Sequence, residues 1–150
     1  MNKSFFIRPY RQVDQEHILR IWYNESIRSH PFIAARFWEG HLETLRNKYL
    51  PESDTFVAER DGSILGFISI IGNYIGALFI DASYQRQGIG SALMDFVHKS
   101  KGSLFVDVYK ENTHARGFYE QYGFTQKREK IQPETGHTLI TMYLEKNRGE

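Results

Sequence analysis

The stretch whose residue types and spacing could do chemistry runs from Leu78 to Ser91, LFIDASYQRQGIGS. Leu78, Phe79 and Ile80 read as an apolar strand end, and Gln85 to Gly90 as a polar turn that opens a helix. A helix start carries backbone N–H groups without acceptors and the positive end of the helix dipole. Glycines there let an anion approach those groups. One reading is therefore a phosphate cradle between a strand and a helix; the other is a glycine turn that caps an ordinary helix. Neither a Gly-Lys-Ser/Thr ending nor a Gly-x-Gly-x-x-Gly fingerprint is present, which removes the P-loop and the dinucleotide motif.

The elements that must position this turn follow from periodicity and punctuation. Residues 4–8 read as a strand. Asp14 is the expected N-cap of a helix carrying Ile18, Ile21 and Trp22, which stops before Pro31. A second helix starts near Ala34, carries Phe37, Trp38, Leu42, Leu45 and Tyr49 on one stripe, and ends at Pro51. Strands at 55–60 and 63–71 flank the hairpin turn Asp61-Gly62, and 74–81 forms a third strand after Gly72-Asn73. The next helix buries Ile89, Leu93, Phe96 and Val97 and stops near Gly102. A strand at 104–109 and a helix with Ala115, Phe118, Tyr119 and Tyr122 on one face, closed by Gly123, come next. Strands at 124–130 and 138–144 finish the chain. This order predicts an α/β (mixed α+β) single domain over residues 1–150, with one mixed, mostly antiparallel sheet of about seven strands and four helices on both faces.

Composition sets limits. The net charge of +1 supplies no broad field for nucleic acid or an anionic membrane, so neither is expected as a partner. Cysteine is absent, which excludes disulfides, thiolate catalysis and an acetyl-cysteine intermediate. The longest apolar run, 64–71, is interrupted by Gly66 and Ser69 and is too short for a bilayer; no signal-peptide apolar region forms near Arg8 and Arg11. A cytoplasmic protein is expected. The histidines at 17, 30, 41, 98, 114 and 137 show no metal-ligand spacing, so no metal is expected.

Gln85-x-x-Gly88-x-Gly90 behind a strand resembles the signature of the GCN5-related N-acetyltransferases (GNAT), where it binds the pyrophosphate of acetyl-CoA. Three other stretches agree. Asn112-x-x-Ala115-x-x-Phe118-Tyr119-x-x-x-Gly123-Phe124 resembles the second signature of that family, and Leu78-Phe79-Ile80-Asp81 the strand end that pairs with the pantetheine arm. Ser29-His30-Pro31-Phe32-Ile33 and Tyr49-Leu50-Pro51 resemble a subgroup of small bacterial members, some of which act on protein amines. The element order matches the GNAT fold along nearly the whole chain.

The resemblance implies acetyl-CoA as cosubstrate and direct transfer of acetyl to a primary amine, with a protein lysine or N-terminus ahead of a small-molecule amine. The alternative it leaves is a non-catalytic acyl-CoA sensor of the same fold. Carried over residue by residue, it implies cofactor contacts from Leu78, Phe79, Ile80, Gln85, Arg86, Gln87, Gly88, Ile89, Gly90, Ser91, Asn112 and Tyr119. Tyr119 matches the tyrosine that protonates the leaving thiolate; as a residue alone it reads first as a core aromatic beside Phe118. The group that takes the proton from the amine stays open among Glu59, His30 and Asp81. Tyr74, His30 and Phe32 are the candidates for acceptor contact, with Trp22, Phe37 and Trp38 as further lining or core. The family often pairs through sheet edges, so a homodimer is among the expected partners.

Overall fold

The structure, a computed structural model, describes residues 4–146. One sheet of seven strands in the order β1-β2-β3-β4-β5-β7-β6 organises them. Its strands are β1 (Phe6–Pro9), β2 (Asp54–Arg60), β3 (Ser63–Ile71), β4 (Tyr74–Ile80), β5 (Leu104–Tyr109), β6 (Thr125–Ile131) and β7 (Thr138–Leu144). Every pairing is antiparallel except β4 with β5.

Helices cover both faces. On one face lie α5 (Ile89–Lys101) and α6 (Thr113–Tyr122), packed through Leu93, Met94, Val97 and Tyr119 on Ile68, Ile70, Val106 and Ile140. On the other, α1 (Gln15–Ser29) packs Ile18, Leu19 and Ile21 on Val57, Phe67 and Ala77. Beside α1 come α2 (Ala35–Glu39), α3 (Leu42–Thr44), a π turn (Leu45–Tyr49) and α4 (Leu50–Glu52). The single helix expected over this last stretch is thus broken. The cause lies at Gly40-His41: the His41 ring sets Nδ1 2.7 Å from the Phe37 carbonyl, taking the acceptor that the next turn needs. Pro51 lies at the end of this helical run, which closes one residue later at Glu52 before Ser53 turns extended. Phe96, expected in the core, keeps 39% of its surface and leans on Phe56.

One irregularity positions the site. Between β3 and β4 the register shifts, with Ser69 opposite Ala77 and Ile70 opposite Ile75, so Gly76 is the extra residue of a β-bulge. A bulge bends and twists its strand. Beyond it β4 diverges from β5: the pair joins only at Tyr74↔Phe105 and Ile75↔Val106. From Gly76 to Ile80, alternate N–H and C=O groups of β4 face a wedge-shaped split instead of a ladder.

Candidate active site

Three structures converge on the split. The first is the mouth of α5. Its N-cap is Gly88, left-handed at φ 77°, with no side chain capping the helix. A side chain there would be strained, so this glycine is a conformational requirement. The amides of residues 88–91 have no intrahelical acceptor, because the first helical bond runs from Ala92 N to the Gly88 carbonyl. Gly90 does a different job. A Cβ on it would lie 3.4 Å from Phe118 Cε1 and 4.0 Å from Ile80 Cγ1, so it faces α6 and β4, not an incoming anion.

The loop before α5 is braced from both ends. Asp81 accepts from Ser83 N at 2.8 Å, and Gln85 Nε2 donates to the Ile80 carbonyl at 2.9 Å. Gln87 Oε1 accepts from Arg60 Nη2 at 3.0 Å. Arg86 is itself left-handed, at φ 64°, and exposed. Alternation of such residues turns successive amides inward to form an anion-binding concavity, and a guanidinium beside it adds charge-assisted bonding to phosphate.

The second structure is α6. Asn112 caps it, its Oδ1 accepting from Ala115 N at 3.1 Å. Two turns on, Tyr119 lies in the core, edge-on to Phe118 and Phe124 at 5.2 and 5.1 Å. Its hydroxyl has no hydrogen-bond partner among the described residues, yet it is not sealed, since the sealed and unpartnered side-chain atoms there are Ser26 Oγ and Trp38 Nε1. Burial alone pushes the phenol well above its usual value, which keeps it protonated at any working pH.

The third is the α1–α2 loop. His30 is buried; its Nδ1 lies 2.7 Å from the Ser26 carbonyl and its Nε2 3.3 Å from Asn112 Nδ2. These partners define the tautomer: Nδ1–H donates and Nε2 accepts. Burial lowers the ring's pKa, in keeping with a neutral imidazole. With both nitrogens engaged, His30 has no lone pair to offer an amine; it ties the loop to the start of α6. It stacks on Trp38 at 4.9 Å, and Phe32 sits edge-on to Tyr109 at 5.8 Å.

Not all the expected residues gather here. Glu59 lies on β2, opposite Phe6 of β1, and accepts from Arg8 Nε at 2.7 Å. Two strands separate it from the split, so it cannot meet an amine there. Asp81 is spent on the loop. Tyr74 stands at the closed end of the split, stacked on Phe105 at 5.1 Å.

Two carboxylates were not anticipated. Glu25, 4% exposed on α1, accepts from Ala82 N at 3.1 Å and so tethers the loop that follows β4. Asp107 is the first residue of β5 beyond the last β4 pair. It accepts from Thr141 Oγ1 at 2.6 Å and holds Lys130 Nζ at 3.0 Å. A charged residue inside the otherwise apolar strand LFVDVY was the available signal for it.

An uncapped helix mouth and an open strand edge at one split, with a buried tyrosine on the neighbouring α6, make up the arrangement that the two signatures imply. A model of the acetyltransferase (GNAT) domain matches residues 23–146. This chain belongs to the GNAT family. It is an acetyltransferase. It is 36% identical over 119 residues to the peptidyl-lysine N-acetyltransferase YiaC of Escherichia coli, covering 79% of this chain and 82% of that one. To the peptidyl-lysine N-acetyltransferase YjaB of Salmonella typhimurium it is 34% identical, over 79% and 81% of the two chains. The solution structure of apo YjaB from Escherichia coli superposes with a TM-score of 0.82 at 25% identity, over 93% of this chain and 97% of that one. The PaiA N-acetyltransferase of Thermoplasma acidophilum, solved in complex with coenzyme A, has the same fold, with a TM-score of 0.77 at 19% identity over 95% and 99% of the chains.

Proposed function

We propose that this GNAT enzyme transfers acetyl from acetyl-CoA directly to the side-chain amine of lysine in a protein. The observation that carries the reading is the meeting of the α5 mouth and the β4 edge at one split, with Tyr119 buried on α6 next to Phe118, the residue that Gly90 faces. The relatives named peptidyl-lysine N-acetyltransferases support the acceptor class. The PaiA complex with coenzyme A supports the donor.

In this reading the amides of residues 88–91, with Arg86, hold the diphosphate. The edge from Leu78 to Ile80 pairs with the pantetheine arm, and a backbone amide there meets the developing oxyanion, a contribution of about 3–4 kcal/mol. The amine lone pair attacks the thioester carbonyl, the C–N bond forms and the C–S bond breaks. The acceptor attacks as the free amine, its ammonium proton lost to water. Tyr119 gives its proton to the departing thiolate and is reprotonated by the one the nitrogen sheds as the amide forms, and Asn112 fixes the start of the helix that carries it. No cysteine is available for an acetyl-cysteine intermediate, and the acetyl group passes directly to the amine. Among the described residues no helix is long and apolar enough to cross a membrane; with the absence of cysteine this supports a cytoplasmic setting.

The test is calorimetric titration with acetyl-CoA followed by thiol release in the presence of lysine peptides and of free small amines. Binding with turnover on peptidyl lysine is expected. Binding without turnover on any amine would favour the sensor alternative, and no binding would end the reading.

A further inference from the structure

The face of the sheet that carries α1 is only half covered. Tyr109 and Leu139 lie under Phe32 and Trp38, whereas Phe105, Asp107 and Tyr143 on that face stay partly exposed. Side chains alternate across a strand, so Leu104, Val106 and Val108 enter the core below α5 and α6 while Phe105, Asp107 and Tyr109 point to the open face. Asp107 therefore sits between two aromatics, directly beyond the point where β4 and β5 part. Thr141, fully buried and directly opposite on β7, fixes one carboxylate oxygen. The other faces an ammonium, that of Lys130 from β6.

We propose that Asp107 recognises the ammonium of the acceptor lysine, and that Lys130 occupies this position until an acceptor displaces it. The inference rests on the acetyl-transfer reading and adds to it the group that selects the acceptor. A lysine side chain is an apolar stem with a cationic head. Phe105, stacked on Tyr74 and tilted against Tyr143, offers aromatic surface to the stem. Asp107 offers the charge to the head. The Lys130 side chain is 46% exposed and that of Asp107 26%, so the internal pair is screened by water and exchangeable. Lys130 thereby acts as a tethered competitor. The position also favours a flexible primary ammonium over a carboxylate or a neutral amide.

The test uses a short peptide with one lysine flanked by glycine and serine, at saturating acetyl-CoA. Lys130→Gln is expected to lower KM for the peptide about 3–10-fold with kcat held. Asp107→Asn, which keeps the oxygen that Thr141 needs, is expected to raise KM at least tenfold. In the double variant the Lys130→Gln effect should vanish, which is the signature of a shared partner. An unchanged or higher KM in Lys130→Gln, or additive effects in the double variant, would overturn the proposal. A second readout separates it from the transfer reading: binding of n-butylammonium followed by amide shifts of Asp107 and Thr141. Shifts that strengthen in Lys130→Gln support recognition even where no peptide is turned over; no shifts in either protein sink it.

Discussion

Two ion-paired carboxylate sites on this sheet behave as opposites. At the β1 edge, Arg8 lies between Asp14 and Glu59, bonding Asp14 through Nη1 and Nη2 at 2.8 and 2.9 Å and Glu59 through Nε at 2.7 Å. The Arg8 and Asp14 side chains keep only 10% and 5% of their surface, and Asp14 also accepts from Arg11 N. On β5, Asp107 holds Lys130 through one contact on an open face. At the first site the cation is nearly buried and makes three charged contacts; at the second the cation makes one and keeps 46% of its surface, while Thr141 holds the other carboxylate oxygen. Place and the exposure of the cation, more than the presence of a carboxylate on a strand, decide which can serve chemistry. Glu59 lies two strands from the split and shares a nearly buried arginine, whereas Asp107 stands beside the split with an exposed lysine.

The largest effect expected from this contrast is on stability. Arg8→Met leaves two carboxylates without their cation, and breaking a buried pair from one side costs about 3–5 kcal/mol. Glu59 retains some solvent, so the lower end, about 3 kcal/mol, is expected by urea unfolding. Lys130→Gln in the same assay should cost under about 1 kcal/mol. The hydrogen bond from Arg8, the largest influence on Asp14, holds its carboxyl below the usual range against the opposing effect of burial. A carboxyl lowered in the folded state contributes stability above its unfolded pKa, near 3.9, and loses it as pH falls through the folded value. The Arg8→Met deficit should therefore be full at pH 7 and shrink below about pH 4. Equal costs for the two variants would erase the distinction between the sites.

The next effect is on turnover and should leave stability alone. Tyr119→Phe removes a hydroxyl that bonds nothing among the described residues while keeping the ring between Phe118 and Phe124. Turnover is expected to fall at least about tenfold with acetyl-CoA affinity held. Because burial raises the phenol above its usual value of about 10, its contribution is fully present below that pH and is lost only above it. An alkaline fall in rate near neutrality would belong to another group, and near-normal turnover in the variant would remove Tyr119 from the reaction.

The closed part of the molecule was the more legible. β3, β5 and β7 fall on 63–71, 104–109 and 138–144 as read, because aliphatic runs bounded by Asp61-Gly62, Gly72-Asn73 and Gly136 leave little choice of register. Asn112 and Gly123 bracket α6 for reasons local to the chain. The break at Gly40-His41 was invisible, since an apolar stripe keeps its period whether or not one carbonyl is taken by a histidine ring. His30 read as a base or an acceptor contact because its partner, Asn112, is 82 residues away. Asp107 was missed for a topological reason. Only the insertion of β7 beside β5, and the bulge that parts β4 from it, turn a mid-strand acid into a group at the apex of the split.

Glu25 stands between the two extremes and gives the smallest and finest test. It is as buried as Asp14, but its cation is poor: Arg28 Nε lies 3.4 Å away on a side chain that keeps 63% of its surface. Burial, the largest influence, raises the Glu25 carboxyl above its usual value, while Arg28 and the Ala82 amide pull the other way. A carboxyl raised in the folded state contributes stability present below its unfolded pKa, near 4.3, and loses it as pH climbs through the folded value. Glu25→Gln escapes that loss and keeps an oxygen for Ala82 N–H. The melting temperature of the variant relative to the parent should therefore rise between pH 4.5 and pH 7.5, by a few degrees at most for a chain of this size. A relative fall over that window would mean that the charged carboxylate is favoured at this position, and would place Glu25 with Asp14 among the paired acids.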